Sequence, residues 1–175
     1  MSEPGTPGAG GSDFVLTRTL AAPRALVWRA WTERDDLMQW FGPAGVTMLP
    51  ASTLDLREGG RFHYGMRMPN GQEMWGQWVF REIVAPERLV LISSFSDAGG
   101  GITRHPMSAT WPLHTLSTTT FAERDGQTEM TLRWNAWNAT PEERATFDGA
   151  HAGMEMGWAG TMRQLTDHLA KVQQR

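Results

Sequence analysis

The apolar positions of this chain change period twice. Phe14 and Leu16, with β-branched Val15, Thr17 and Thr19 beside them, predict a strand over Phe14 to Leu20. Leu26, Val27, Ala30 and Trp31 then recur at helical spacing behind Pro23, a helix-starting proline. Thr32 is placed to cap a second short helix, with Asp35 three residues on. Leu37, Met38, Trp40 and Phe41 form its apolar side, and Gly42-Pro43 ends it.

A run of strands follows. Thr47 to Leu56 reads as extended, with Pro50 marking an edge or bulge. After Gly59-Gly60, the residues Phe62, Tyr64, Met66 and Met68 alternate with Arg61, His63, Gly65 and Arg67, the period of a half-buried strand. Asn70-Gly71 predicts a hairpin turn. Glu73 to Val84 continues with Met74, Gly76, Trp78 and Phe80 on one face, and a turn at Ala85 to Arg88 leads into Leu89 to Phe95. Ser96 to His114 is a long loop punctuated by Gly and Pro, of the kind that forms lids or binding loops. Its His105, Trp111 and His114 could touch a ligand, or Trp111 could simply pin the loop down. Thr115 to Glu123 and Thr128 to Trp137 form a hairpin around Asp125-Gly126, with Met130, Leu132 and Trp134 sharing a face.

Pro141 to Lys171 closes the chain as one long predicted helix. Thr140 caps it, Pro141 takes its first position, and Glu142 and Glu143 suit its positive end. Phe147, His151, Met154, Trp158, Met162, Leu165 and Leu169 share its broad apolar face. Gly149, Gly153, Gly157 and Gly160 flank that face. Each costs about 1 kcal/mol relative to Ala in a helix interior. Either a neighbour packs against the bare backbone, or the helix bends to admit a ligand.

Short turns between successive strands imply a curved antiparallel sheet, and a lone terminal helix must lay its stripe on it. The expected fold is α+β, with two short helices after the first strand. Gaps between sheet and helix would be pockets lined by Met and aromatic groups. The nine Trp and eleven Met against one Tyr suit such a wall, although they also suit a plain core.

Composition narrows the function by exclusion. With no cysteine, thiol catalysis, Cys-based zinc and disulfides are out, and a reducing, cytoplasmic setting is expected. Lys+Arg number 16 against Asp+Glu 19, with no basic run for nucleic acid or an anionic membrane, and no apolar run of spanning length. Met1 to Ser12 is Gly/Pro/Ser-rich, lacks the pattern of a secretory signal, and is expected to be a disordered tail before a single domain over residues 13–173. His63, His105, His114, His151 and His168 are scattered without metal-ligand spacing, so no metal or other cofactor is expected. There is no nucleophile elbow and no phosphate loop.

Several segments together resemble a known family. Ala22-Pro23, Val27-Trp28, Ala30-Trp31-Thr32 and Trp40-Phe41-Gly42-Pro43 resemble the opening of the START-like (SRPBCC) helix-grip superfamily. The best match is the branch homologous to the C-terminal domain of heat-shock-protein-90 ATPase activators. Asp55-Leu56-Arg57, Gly59 to Phe62 and Pro86 to Val90 resemble its middle motifs. Asp125-Gly126, Thr128, Gly157-Trp158 and Gly160-Thr161 resemble its closing ones. The resemblance covers about Phe14 to Ala170 and implies a sheet gripping the terminal helix around an internal cavity for apolar or amphipathic small molecules. It fixes no reaction. Members include lipid carriers, polyketide cyclases, sequestering resistance proteins and co-chaperones.

The expected function is binding of a small hydrophobic molecule, lipid or polyketide-like. The predicted wall is Trp40, Tyr64, Met66, Trp78, Phe80, Trp134, Met154 and Trp158, with His151 as its polar member and Arg61 as a weaker candidate on the opposite strand face. Two alternatives stand beside it. One is a cofactor-independent cyclase using His151 or Tyr64 as acid or base. The other is a chaperone-contacting module, which would show an exposed apolar patch instead of an enclosed pocket.

Overall fold

The computed structural model describes residues 13–174, so the expected tail over Met1 to Ser12 lies outside the described residues. Strand β1 (Phe14–Leu20) is followed by helices α1 (Arg24–Thr32) and α2 (Arg34–Trp40). Then come β2 (Thr47–Met48), β3 (Thr53–Leu54), β4 (Arg61–Arg67), β5 (Glu73–Val84), β6 (Arg88–Ser96), β7 (His114–Arg124) and β8 (Gln127–Trp137). Helices α3 (Pro141–Gly149) and α4 (His151–Gln173) end the chain.

All strand pairs are antiparallel, in the order β1-β8-β7-β6-β5-β4-β2, with β3 also pairing β4. The sheet curls into a half-barrel, and its concave face carries the core. Phe62, Phe80, Leu89, Met130 and Leu132 on that face are each 1% exposed or less. The alternation that predicted these strands places these residues, because side chains two apart share a face. Asp125 and Gly126 both take positive φ, 54° and 78°, as the tight β7–β8 hairpin requires. The Thr47 to Leu56 segment is broken around Pro50 into the two-residue strands β2 and β3, both paired to β4.

Two local expectations are corrected. Thr32 does not cap α2. It ends α1, and its hydroxyl donates back to the Trp28 carbonyl at 2.7 Å, while Glu33 precedes α2 without a side-chain cap. The terminal helix is not continuous. Ala150, at φ −99° and ψ 1°, separates α3 from α4. The reason lies in what α3 holds. Arg104 bonds Glu143 at 2.7 Å, Thr146 bonds Thr110 at 2.9 Å, and Phe147 packs on Trp111 with centroids 5.7 Å apart. These contacts tie α3 to the Ser96 to His114 loop, whereas α4 follows the sheet. Thr140 caps the start of α3 as expected, and Glu143 completes a capping box with it.

The C-terminal half of α4 is fixed. Met162, Leu165 and Leu169 are buried, His168 bonds Asp36 of α2 at 2.7 Å, and Gln164 donates to the carbonyl oxygens of Trp40 and Gly42. The glycine flank behaves differently. A Cβ built at Gly149, Gly153, Gly157 or Gly160 meets nothing within 4 Å, so close packing of a neighbour is not why they are there. Gly153→Ala is therefore expected to raise stability by about 1 kcal/mol and Tm by about 2–4 °C, read by thermal unfolding. No gain would mean that the helix at this point uses a conformation closed to alanine.

Candidate functional site

The N-terminal half of α4 stands off the sheet. Between it, the α2–β2 corner and strands β4, β5, β6 and β8 lies a cavity of about 290 Å³. Tyr64 and Met66 supply its sheet floor and Phe95 and Trp134 its flank. Met154, Gly157 and Trp158 come from α4, and Phe41, Gly42 and Pro43 from the corner. Two further hollows adjoin it, and all three share Tyr64 and Trp134 as wall. One, of about 190 Å³, runs under the long loop, where His105, Trp111 and Leu113 face Ser93 and Thr115. The other, of about 70 Å³, is innermost, since Trp31, Leu91, Ser117 and Leu132 of its wall are all buried.

The aromatic arrangement explains why the space stays open. Trp31 is flanked by Trp78 at 6.0 Å and Trp158 at 6.3 Å, nearly parallel to both. Phe41 presents edges to Tyr64 at 5.0 Å and Trp78 at 4.9 Å, and Trp134 meets Trp158 edge-on at 5.3 Å. Rigid rings propped edge to face cannot collapse into a gap as a flexible side chain can. Tyr64 lies over its register partner Gly76, where a Cβ would come within 2.5 Å of the hydroxyl. Glycine in this strand interior is thus accounted for by close approach of a ring.

The sequence-predicted wall divides. Tyr64, Met66, Trp134, Met154 and Trp158 come together around the main cavity, and Trp78 lines the innermost hollow. Trp40 and Phe80, each 1% exposed, sit in the packed core instead, with the Trp40 indole donating to the Ala30 carbonyl at 2.8 Å. His151 stands against the edges of Phe14 and Phe147 at 5.8 and 5.5 Å, and its Nε2 is buried without a partner. It is not among the residues lining the three hollows. Arg61 projects from the other sheet face, where it bonds Gln77 at 3.2 Å. Sequence reasoning missed Phe41, Phe95, Trp31 and Ser93 as wall. Phe41 had a signal, since it precedes the Gly42-Pro43 helix stop, and the first side chain past a helix end can turn back under it.

Charge is sparse in this site. Tyr64 and His105 are the titratable residues in the three walls. Burial pushes the Tyr64 phenol up to about 12, against a weaker opposing effect of its hydrogen bond to Ser93. Burial lowers His105 below the usual imidazole range, which keeps it neutral at pH 7. Glu143 at the loop anchor is held below the usual carboxylate range by the Thr140 N–H and, against some desolvation, by Arg104. Tyr64 is the only tyrosine in the chain, so phenolate absorbance reads it alone. Its alkaline midpoint is expected near 12 in the folded protein and near 10 in denaturant. Because the folded value is the higher one, the unfolded chain releases this proton first. The contribution of this group to stability is complete below pH 10 and is lost as pH rises towards 12. Coincident midpoints would show Tyr64 to be solvated.

Among the described residues, no group of His, Asp or Glu is arranged to hold a metal, and no helix is long and apolar enough to cross a membrane.

The comparisons agree on the fold. The family described as "Activator of Hsp90 ATPase homolog 1-like protein" matches residues 21–170. Among solved structures, protein NE0264 from Nitrosomonas europaea is 26% identical with a TM-score of 0.74, over 95% of this chain and 99% of that one. A protein from Arthrobacter aurescens is 25% identical with a TM-score of 0.73, over 91% and 86%. The AHSA1 protein from Silicibacter pomeroyi, at 18% identity and a TM-score of 0.68 over 91% and 98%, shows the shared fold alone. Among curated proteins there is no match.

Proposed function

The chain belongs to the activator of Hsp90 ATPase homolog 1-like family, within the START-like superfamily, and on that premise we propose that it binds a small hydrophobic or amphipathic molecule between sheet and α4. The observation that carries the proposal is the cavity of about 290 Å³ walled by Tyr64, Met66, Trp134, Met154 and Trp158. Its size is near the lower bound for small-molecule sites, and its lining is mainly apolar with few polar groups, as such sites are. Burial of apolar surface supplies the affinity, at roughly 25 cal/mol per Å² of area removed from water before the costs of association. The cysteine-free composition fits a protein working in the cytoplasm.

Binding is favoured over turnover by the character of the polar groups. A phenol with its pKa near 12 donates a hydrogen bond at neutral pH but is a poor general base. His151, the other acid–base candidate, borders Phe14 and Phe147 and not the cavity. A chaperone contact would call for a continuous exposed apolar patch. Among the described residues, Met107 at 89% exposure, in the loop between β6 and β7, and Met156 at 79%, on α4, are the most exposed large apolar side chains.

Gly157 gives the test. It lines the cavity mouth, and a Cβ there meets no neighbour within 4 Å. Gly157→Leu should fold with unchanged or higher stability and lose at least about ten-fold in affinity for any cavity ligand, by steric exclusion. Native mass spectrometry of the freshly purified protein, then NMR titration with a lipid and aromatic polyketide panel, supplies the ligand. Shifts confined to exposed positions, and appearing only when a chaperone is added, would move the assignment to an interaction module.

A further inference from the structure

The innermost hollow carries information about the ligand that its apolar walls do not. Trp31 is 1% exposed and forms part of that wall, yet its Nε1–H is buried without a hydrogen-bond partner. An indole N–H can only donate. Leaving a buried donor unsatisfied costs about 1–3 kcal/mol, so such a group in a native fold calls for an explanation. Ser117 and the Tyr64 hydroxyl share this wall and can donate as well, while Ser93 is bonded to Tyr64. The volume of about 70 Å³ is more than one water occupies, at roughly 30 Å³ each, and is enough for a small polar group on a larger molecule.

The same walls argue against a charged ligand. Their titratable members are Tyr64 and His105, so no lysine, arginine or carboxylate faces the three hollows. An anion buried there would lose its hydration without a counter-charge. A cation could in principle lie over aromatic faces. Trp78 and Trp158, however, stack on Trp31, and Trp40 and Phe121 stand edge-on to it, so little of its ring face is left for a cation. Its free N–H, a donor only, selects an acceptor.

We infer that the molecule bound is uncharged and apolar over most of its length, and that it carries a carbonyl-type hydrogen-bond acceptor at its leading end, received by Trp31 Nε1–H and the hydroxyls of Tyr64 and Ser117. This rests on the binding function proposed above and specifies the ligand's polarity and direction of entry. The apolar body fills the space beside Met66, Met154 and Trp134, and the acceptor points towards the sheet interior.

Three probes of one shape separate the possibilities: 2-acetylnaphthalene, the isosteric hydrocarbon 2-isopropenylnaphthalene, and the 2-naphthoate anion. Affinities come from calorimetry. The Trp31 indole resonance, assigned by its loss in Trp31→Phe, is followed by NMR. The ketone should bind about ten-fold more tightly than the hydrocarbon, the anion should bind least, and the Trp31 N–H should move downfield with the ketone only. In Trp31→Phe the ketone-to-hydrocarbon ratio should fall most of the way towards one, and in Tyr64→Phe it should fall by less. Equal binding of ketone and hydrocarbon, with no movement of the indole proton, overturns this inference while leaving the binding function standing. Tightest binding by naphthoate overturns it as well. If none of the three binds, the binding function falls with it.

Discussion

Replacing Trp31 by alanine should cost about 3 kcal/mol, a large loss for a single side chain. An exposure of 1% and ring contacts to Trp40, Trp78, Phe121 and Trp158 place Trp31 where α1, α2, β5, β7 and α4 meet. Truncating a buried Trp or Phe to Ala costs about 3–5 kcal/mol, because surrounding groups relax only partly into the void. Two local features decide where in that range the value falls. The void would merge with an existing hollow of about 70 Å³, which limits relaxation and raises the cost. Removal of the unpartnered indole N–H acts the other way and recovers about 1–3 kcal/mol of desolvation. The second is the larger correction, so the lower end is expected. Against a total stability of about 5–15 kcal/mol this is a severe loss. Urea unfolding should show a lower midpoint at an unchanged m-value. A cost below about 1 kcal/mol would mean that the ring stack is not the centre of the core.

Gly76→Ala should have the largest effect on the cavity itself. The added methyl would lie 2.5 Å from the Tyr64 hydroxyl and 2.7 Å from its Cζ, well inside contact distance. Gly76 and Tyr64 are register partners on neighbouring strands, so neither can retreat without disturbing the β4–β5 ladder. Overpacking of this kind costs about 1–3 kcal/mol. The easiest relief is rotation of the Tyr64 ring away from the sheet and into the cavity it lines. Ligand affinity should then fall sharply, and the alkaline midpoint of the single tyrosine should drop from about 12 towards 10 as the phenol regains water. Tyr64→Ala in the same chain should restore the stability lost to Gly76→Ala, which a double-mutant cycle reads as coupling. An unchanged phenol midpoint in the Gly76→Ala variant would show that the strands, and not the ring, give way.

Gly76 also shows how far a period-two pattern can be read. Alternation put it on one face with Trp78 and Phe80, and the register agrees. Alternation could not show that a ring from the next strand fills the space of its missing side chain. The flank glycines of α4 gave an ambiguous signal for a related reason. A bare backbone position looks the same in sequence whether a neighbour presses on it or nothing does. Here nothing does, and Gly157 borders open cavity.

The amino-acid sequence by itself determined the order and type of the main elements, the inward faces of β4, β5 and β8, the Thr140–Glu143 helix start and the sheet-and-helix architecture. These follow from short-range rules: side chains two apart share a strand face, three or four apart share a helix face, and caps act within one turn. Only the tertiary structure decided which inward side chains fill the core and which border space. Periodicity gives a face but no depth, so Trp40 and Phe80 read the same as Tyr64 and Trp134 until α2 and α4 are in place. The break at Ala150 was likewise decided at long range, because contacts from the Ser96 to His114 loop hold α3 while the sheet directs α4. The unpaired N–H of Trp31 is the furthest case. No local pattern reveals a missing partner, because being unpaired depends on every group that packs around it.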